Sequence, residues 1–208
     1  MKNNPFQHHP HAKIFIIAGV SGVGKSTLIE GIVSGKTSIK NIQFVITHTS
    51  RDPRMSKKGV MEQDGVEYYF VSYEKILDMV QNDEFAENNN PYESKKIYGT
   101  SLKELARIVN SGNNGITDLD VDGAINLKNL FPNNVYTIFI QPESVDQAIQ
   151  QLKDRASDDA KALESRLARF NYEMGLKDSF DSIVTNISGQ PDVALQEVAN
   201  IIKNQIAT

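Results

Sequence analysis

The residues best equipped for chemistry form one short run, Gly19-Val20-Ser21-Gly22-Val23-Gly24-Lys25-Ser26-Thr27. Gly19, Gly24, Lys25 and Ser26 satisfy G-x-x-x-x-G-K-[ST], a pattern that carries meaning when a strand precedes it and a helix follows. Glycines let backbone N–H groups turn inward around phosphate oxygens with no side chain in the way. The following helix points its positive end at the same anion. Lys25 then reaches the β- and γ-phosphates, and the Ser26 hydroxyl can ligate Mg²⁺. All nine residues are therefore expected to line a nucleoside triphosphate site.

A triphosphate site does not name a reaction. GTPases carry an Asn-Lys-x-Asp element that this sequence lacks, although Asp120-Val-Asp-Gly123 fits their looser D-x-x-G. The chain has little room for motor or helicase machinery. That favours a small-molecule kinase, which needs a second anion site for its acceptor. Thr49-Ser-Arg-Asp-Pro-Arg54 places two arginines around a proline. Pro53 fixes its own φ and biases Asp52 towards extended geometry, so both guanidinium groups can reach one ligand. Basic loop residues are most often only solvated, so the pair takes its meaning from its neighbours.

The elements that must hold these residues follow from hydrophobic period. Short apolar runs bounded by polar or turn residues predict strands over Lys13–Ala18, Ile42–Thr47, Gly115–Leu119, Val135–Ile140 and Asp181–Thr185. Helical patterns cover Lys25–Ser34, Ser101–Asn110, Ser144–Arg155, Asp158–Leu176 and Pro191–Gln205. This alternation implies an α/β fold, a mainly parallel sheet flanked by helices. The stretch 51–99 breaks it, with hairpin-like "DGVEYYFVS", a short helix near Tyr73–Val80 and an Asn-rich loop. It reads as an insertion over the strand ends, where open α/β sheets bind ligands.

Composition narrows the class. At 208 residues, 39% hydrophobic and 23% charged, the chain fits one soluble domain with ample length for a core. A net charge of −4 argues against a general nucleic-acid partner. The first apolar run, Ile14–Val20, is too short to span a bilayer, so no membrane partner is expected. Without cysteine there are no disulfides or thiolate zinc sites, which suits a cytoplasmic protein. Residues 1–12, with His8, His9 and His11, read as a disordered tail ahead of a single domain over 13–208.

Read onward from the glycine loop, "ITHTSRDPR", "GVEYYFVSYEKI", "NDEFAE", "IYGTS", "ITDLDVDGA" and "FIQPESV" follow in that order. Together they resemble the guanylate kinase family over roughly 13–203. The resemblance implies a P-loop NTPase fold, with a core over 13–50 and 100–208, an acceptor-binding lobe inserted near 51–99 and a helical lid near 153–166. It implies transfer of the γ-phosphoryl group of ATP to GMP, and to dGMP, in purine nucleotide metabolism, with Mg²⁺ as cofactor. By resemblance Arg51 and Arg54 hold the acceptor phosphate, and Tyr68 and Tyr98 complete its cage. Guanine presents donors at N1 and N2 and an acceptor at O6. Glu87 matches the family's carboxylate for the donors, and Thr47 and Thr100 its hydroxyl positions. Asp118 and Asp120 match carboxylates that assist guanine recognition or Mg²⁺ hydration, with a helix cap the lesser reading of Asp120. Arg155 and Arg166 match lid-hinge arginines, catalytic alongside Lys25 and Arg51. ATP and GMP are the implied partners, and monomer and homodimer stay equally open.

The chain departs from the family pattern mainly on the acceptor and lid sides. Residues 55–67 and 88–97 are longer than usual, and Asn88 replaces a tryptophan. Thr47 stands for serine, Ser50 for threonine and Asp122 for glutamine, and the lid reads "RASDD". A kinase of another monophosphate or of a phosphosugar would keep Arg51, Arg54 and Tyr68 without needing Thr47, Glu87 and Thr100. A scaffold-type binding module of the same fold would dispense with the intact glycine loop.

Overall fold

The computed structural model describes residues 4–55, 59–89, 96–154 and 160–207. In chain order the elements are β1 (Ile14–Gly19), α1 (Lys25–Val33), β2 (Ile42–Phe44), β3 (Thr47–Thr49), β4 (Tyr68–Phe70), α2 (Tyr73–Gln81), β5 (Phe85–Asn88) and β6 (Tyr98–Ser101). They continue with α3 (Leu102–Asn110), β7 (Asn114–Asp118), α4 (Val121–Leu130), β8 (Val135–Pro142), α5 (Val145–Asp154), α6 (Ala160–Gly175), β9 (Ser182–Asn186) and α7 (Pro191–Ile206). A five-stranded sheet runs β2-β7-β1-β8-β9 and a four-stranded sheet β4-β3-β6-β5. In the larger sheet β2 pairs parallel with β7, Ile42 opposite Asn114, and β8 pairs parallel with β9, Ile138 opposite Ser182. Every residue of β1 is buried, the mark of a strand covered on both faces. The fold is α/β with a mainly parallel central sheet and helices around it.

The chain divides into two compact units, one of Met1–Ile14, Asn41–Thr117 and Asn126–Val135, the other of Phe15–Lys40, Asp118–Ile125 and Tyr136–Thr208. In the first, the predicted strand Ile42–Thr47 is two strands in two sheets. Val45 N–H still donates to Ile116 O at 2.9 Å, but the next amide, Ile46 N–H, donates to the Glu104 carboxylate at 3.0 Å. Glu104 is 3% exposed and also accepts from Tyr69 Oη at 3.2 Å and from Arg107 Nε and Nη2 at 2.8 Å each. One buried carboxylate thus replaces a strand partner where the chain changes sheets, since a buried amide left unpaired is costly.

The predicted hairpin at "DGVEYYFVS" does not form. β4 runs parallel to β3, Thr47 opposite Tyr68, while β3 and β5 both pair antiparallel with β6. Ile76 and Met79 of α2 close on Phe85 and Ile97 as a core of the small sheet. Gly99 permits that packing, because a Cβ there would lie 2.7 Å from the Phe85 ring.

The predicted disordered tail is likewise corrected from Asn4 onward. Phe6 is 2% exposed and meets Phe131 edge-on at 5.1 Å between ring centroids. Asn134 Nδ2 straps the segment by donating to Pro10 O and Ala12 O at 2.9 Å each. The polar composition of the segment hid one aromatic whose burial is worth about 2–3 kcal/mol. In the second unit the predicted helices after β8 appear as α5 and α6. Residues 155–159, with Arg155 and part of the predicted lid, lie outside the described residues.

Phe6→Ala should lower unfolding free energy by about 3 kcal/mol or more, read by urea titration. A loss below about 0.5 kcal/mol would show that the tail does not pack as described.

Candidate functional site

The second unit carries the glycine loop between β1 and α1. Gly19 has φ of 137°, and a Cβ there would sit 2.1 Å from Ile140 O. Gly24, with φ of 97°, opens α1, and a Cβ there would come within 2.7 Å of Asn186 Nδ2. Both positions require glycine for sterics as well as for torsion. Asn186 pins the loop by donating to Val23 O at 2.7 Å. A cavity of about 380 Å³ opens beside the loop, bounded by 22–24, 142–144 and 186–189.

Lys25 Nζ donates to Gly19 O at 2.7 Å and Val20 O at 3.2 Å. Burial lowers its pKa, and the carboxylates of Asp118 and Glu173 work in the opposite direction. Burial also pushes the Asp118 carboxyl up, opposed by Lys25. Asp120 caps α4, its Oδ1 accepting from Gly123 N–H at 2.8 Å. The lesser reading of Asp120, a helix cap, is what Oδ1 does here, and Oδ2 is not used by the cap. Arg166 lies exposed on α6.

The first unit assembles the other predicted set. Arg51, 8% exposed, is surrounded by acceptors. Its Nη1 and Nη2 grip the Glu62 carboxylate at 2.6 and 2.9 Å, Nη1 also reaches Asp52 O at 2.9 Å, and Nε donates to Tyr98 Oη at 3.2 Å. The guanidinium carbon lies 4.7 Å from the centroid of the Tyr68 ring. The hydrogen bonds with Glu62 raise the Arg51 pKa and hold the Glu62 carboxyl below its ordinary range. Arg54 is exposed, but its backbone N–H donates to Glu62 Oε2 at 2.8 Å and its carbonyl accepts from Glu62 N–H at 3.0 Å. Glu62 therefore holds the side chain of one arginine and the backbone of the other.

On the small sheet, Glu87 and Thr100 are register partners across β5 and β6. Glu87 Oε1 accepts from Thr100 N–H at 3.0 Å and Thr100 Oγ1 at 2.7 Å, with both residues buried. Thr47, 7% exposed, begins β3 of the same sheet.

A family model described as guanylate kinase matches residues 11–205. The chain belongs to the guanylate kinase family. It is 34% identical over 175 residues to the guanylate kinase of Bacteroides fragilis, covering 84% of this chain and 81% of that one. To the guanylate kinase of Porphyromonas gingivalis it is 36% identical over 169 residues, covering 81% and 86%. The crystal structure of guanylate kinase from Anaplasma phagocytophilum shares its fold, with a TM-score of 0.68 over 95% of this chain and 87% of that one at 23% identity.

Within this guanylate kinase family chain, Thr47, Arg51, Arg54, Tyr68, Glu87, Tyr98 and Thr100 all fall in the first unit. Gly19 to Thr27, Asp118, Asp120 and Arg166 fall in the second, and Arg155 lies outside the described residues. Sequence reasoning missed Glu62. A lone glutamate in a lengthened loop has no period to betray it, although its place after two arginines was a usable signal.

Glu62→Gln should be less stable than the parent at pH 7, by about 1–3 kcal/mol, because a charged hydrogen-bonded pair is weakened. A folded-state pKa below the ordinary 4.5 adds stability that is present above that value and lost as pH falls through the lower one. The gap between parent and variant, followed by denaturant unfolding, should therefore close as pH drops below 4.5. A gap that holds constant to lower pH would show that the pair does not form.

Proposed function

We propose that this protein transfers the γ-phosphoryl group of ATP to GMP, giving ADP and GDP, and accepts dGMP as well. The observation that carries the acceptor is the buried Glu87–Thr100 pair, with Oε1 of the carboxylate fixed by the threonine's amide and hydroxyl. A carboxylate so held suits the N1 and N2 donors of guanine, and the Thr47 hydroxyl suits O6, while Thr100, whose hydroxyl proton goes to Glu87, would orient that carboxylate. Arg51, Arg54, Tyr68 and Tyr98 would take the acceptor phosphate. Asp118 and Asp120 would serve guanine or the hydration of the metal.

On the donor side, the amides of Gly19 to Thr27 would cradle the triphosphate, with Lys25 on its β- and γ-phosphates. Lys25 holds two loop carbonyls, so it is poised at the loop that would receive the phosphates. Phosphoryl transfer asks mainly for positioning and charge neutralisation, which fits this inventory. The Ser26 hydroxyl and the Asp118 and Asp120 carboxylates are hard oxygen donors, the kind that Mg²⁺ prefers. Mg²⁺, when bound, would neutralise charge on the phosphates. Arg155 and Arg166 are assigned to a closing lid that excludes water. A cytoplasmic setting, with soluble nucleotides as partners, is part of the same reading.

The test is ADP release with ATP, Mg²⁺ and a panel of GMP, dGMP, AMP, CMP and UMP. Strong turnover with GMP supports the reading, and a preference for another monophosphate would overturn the guanine assignment. Lys25→Ala should lower kcat on the order of a hundredfold or more, as loss of a preorganised electrostatic group does. Arg54→Ala should mainly weaken acceptor use, by about tenfold or more in KM for GMP. Glu87→Gln should narrow the GMP-over-AMP ratio of kcat/KM, and an unchanged ratio would make Glu87 structural.

A further inference from the structure

Helix α6 carries an arginine that the roles above leave unassigned. Arg169 lies three residues beyond Arg166, so both belong to one face of the helix. Its Nε donates to Glu173 Oε1 at 2.8 Å, its Nη1 lies 3.5 Å from Asp122 Oδ2, and its Nη2 lies 3.7 Å from Asp120 Oδ2. Tyr172 Oη donates to Asp122 Oδ1 at 2.5 Å, and the Tyr172 ring centroid is 5.5 Å from the Arg169 guanidinium. One cation therefore serves three carboxylates, two of them in the first turn of α4 or capping it.

Each of those carboxylates has a second tie. Asp120 Oδ1 is committed to the Gly123 amide, which leaves Oδ2 for Arg169. Glu173 is 8% exposed and acts electrostatically on Lys25, the lysine of the glycine loop. Asp122 also accepts from the Tyr172 hydroxyl. Exposed ion pairs taken singly contribute little to stability, and Arg169, Asp120 and Asp122 are each nearly half exposed. A stabilising role alone is a weak reason for so many converging contacts.

The geometry points to Arg169 as a positioning residue for phosphoryl transfer, one that fixes the remaining oxygen of Asp120 and offsets the charge of Asp122. The role rests on the kinase reading above. Without Arg169, Asp120 would lose its orientation, and the negative charges of Asp120 and Asp122 would stand unscreened in the unit that receives the triphosphate. Repulsion of that kind falls on the transferring phosphoryl group. Most of the residues assigned to GMP above (Thr47, Arg51, Arg54, Tyr68, Glu87, Tyr98 and Thr100) belong to the other unit, so with Asp120 serving the metal's hydration the KM for GMP should change little.

Four proteins decide the matter: wild type, Arg169→Gln, Arg169→Lys and the double variant Arg169→Gln/Asp122→Gln. Steady-state turnover with GMP and thermal unfolding are measured for each. Arg169→Gln should lower kcat about tenfold, the scale on which neighbours in one ion-pair network couple, with KM for GMP within about twofold. Arg169→Lys should keep most of the activity. The double variant should regain much of the loss, because the carboxylate needing an offset is gone. An Arg169→Gln protein within about twofold of wild-type kcat would overturn the role. So would a loss that tracks a fallen Tm and is relieved by neither lysine nor the second substitution. A wild type inactive with GMP would sink the kinase reading and this role with it, whereas an active wild type with an indifferent Arg169→Gln sinks this role alone.

Discussion

A charge withdrawn from water is tolerated only beside an opposite charge or a set of hydrogen bonds, and each unit, taken by itself, meets that requirement. Phosphate sites need cations in poorly solvated places, where their pull is strong. In this chain Arg51, Lys25 and Arg169 each have internal partners. Arg51 is held by Glu62, Tyr98 and a carbonyl. Lys25 has two loop carbonyls and the field of Asp118 and Glu173. Arg169 has Asp120, Asp122 and Glu173. The cations are thereby held in one orientation, and preorganised charge is what phosphoryl transfer uses.

The same logic extends into the fold of the first unit. Glu104 carries the amide of Ile46 through the step from one sheet to the other, and it also receives Tyr69 and Arg107. Thr47 follows directly, and Arg51 lies four residues on. Thr47 and Arg51 therefore follow a bend whose free amide is satisfied by a side chain. The network is also why two short strands replace one long one. A continuous strand would have kept Thr47 to Thr49 in the sheet with β7, away from β4 and β6.

Family membership accounts for the fold and for the donor loop, while the specific character of this chain lies in the replacements. Asp122 in place of glutamine coincides with Arg169 and Tyr172 closing on it. Glu62, after the two arginines, reaches the side chain of Arg51 and the backbone of Arg54. Asp122 and Glu62 each meet their partners within their own unit.

The glycine loop, the strands of the larger sheet with most of their helices, and the two arginines were legible in the amino-acid sequence, because each depends on neighbours along the chain. Glycine sets its own torsion, a hydrophobic period marks its own helix or strand, and Pro53 restricts the residue beside it. The cap at Asp120 was legible for the same reason, its partner being three residues away. Contacts between distant residues were not. Glu104 meets Ile46 across 58 positions, Phe6 packs on Phe131, Asp122 meets Tyr172 across 50, and β4 joins β3 parallel rather than folding back on itself. Counter-charges and sheet partners are chosen by proximity after the chain has folded, and no local spacing records that choice. The sequence therefore determined which groups could bind phosphate, and the tertiary structure alone decided what holds each of them in place.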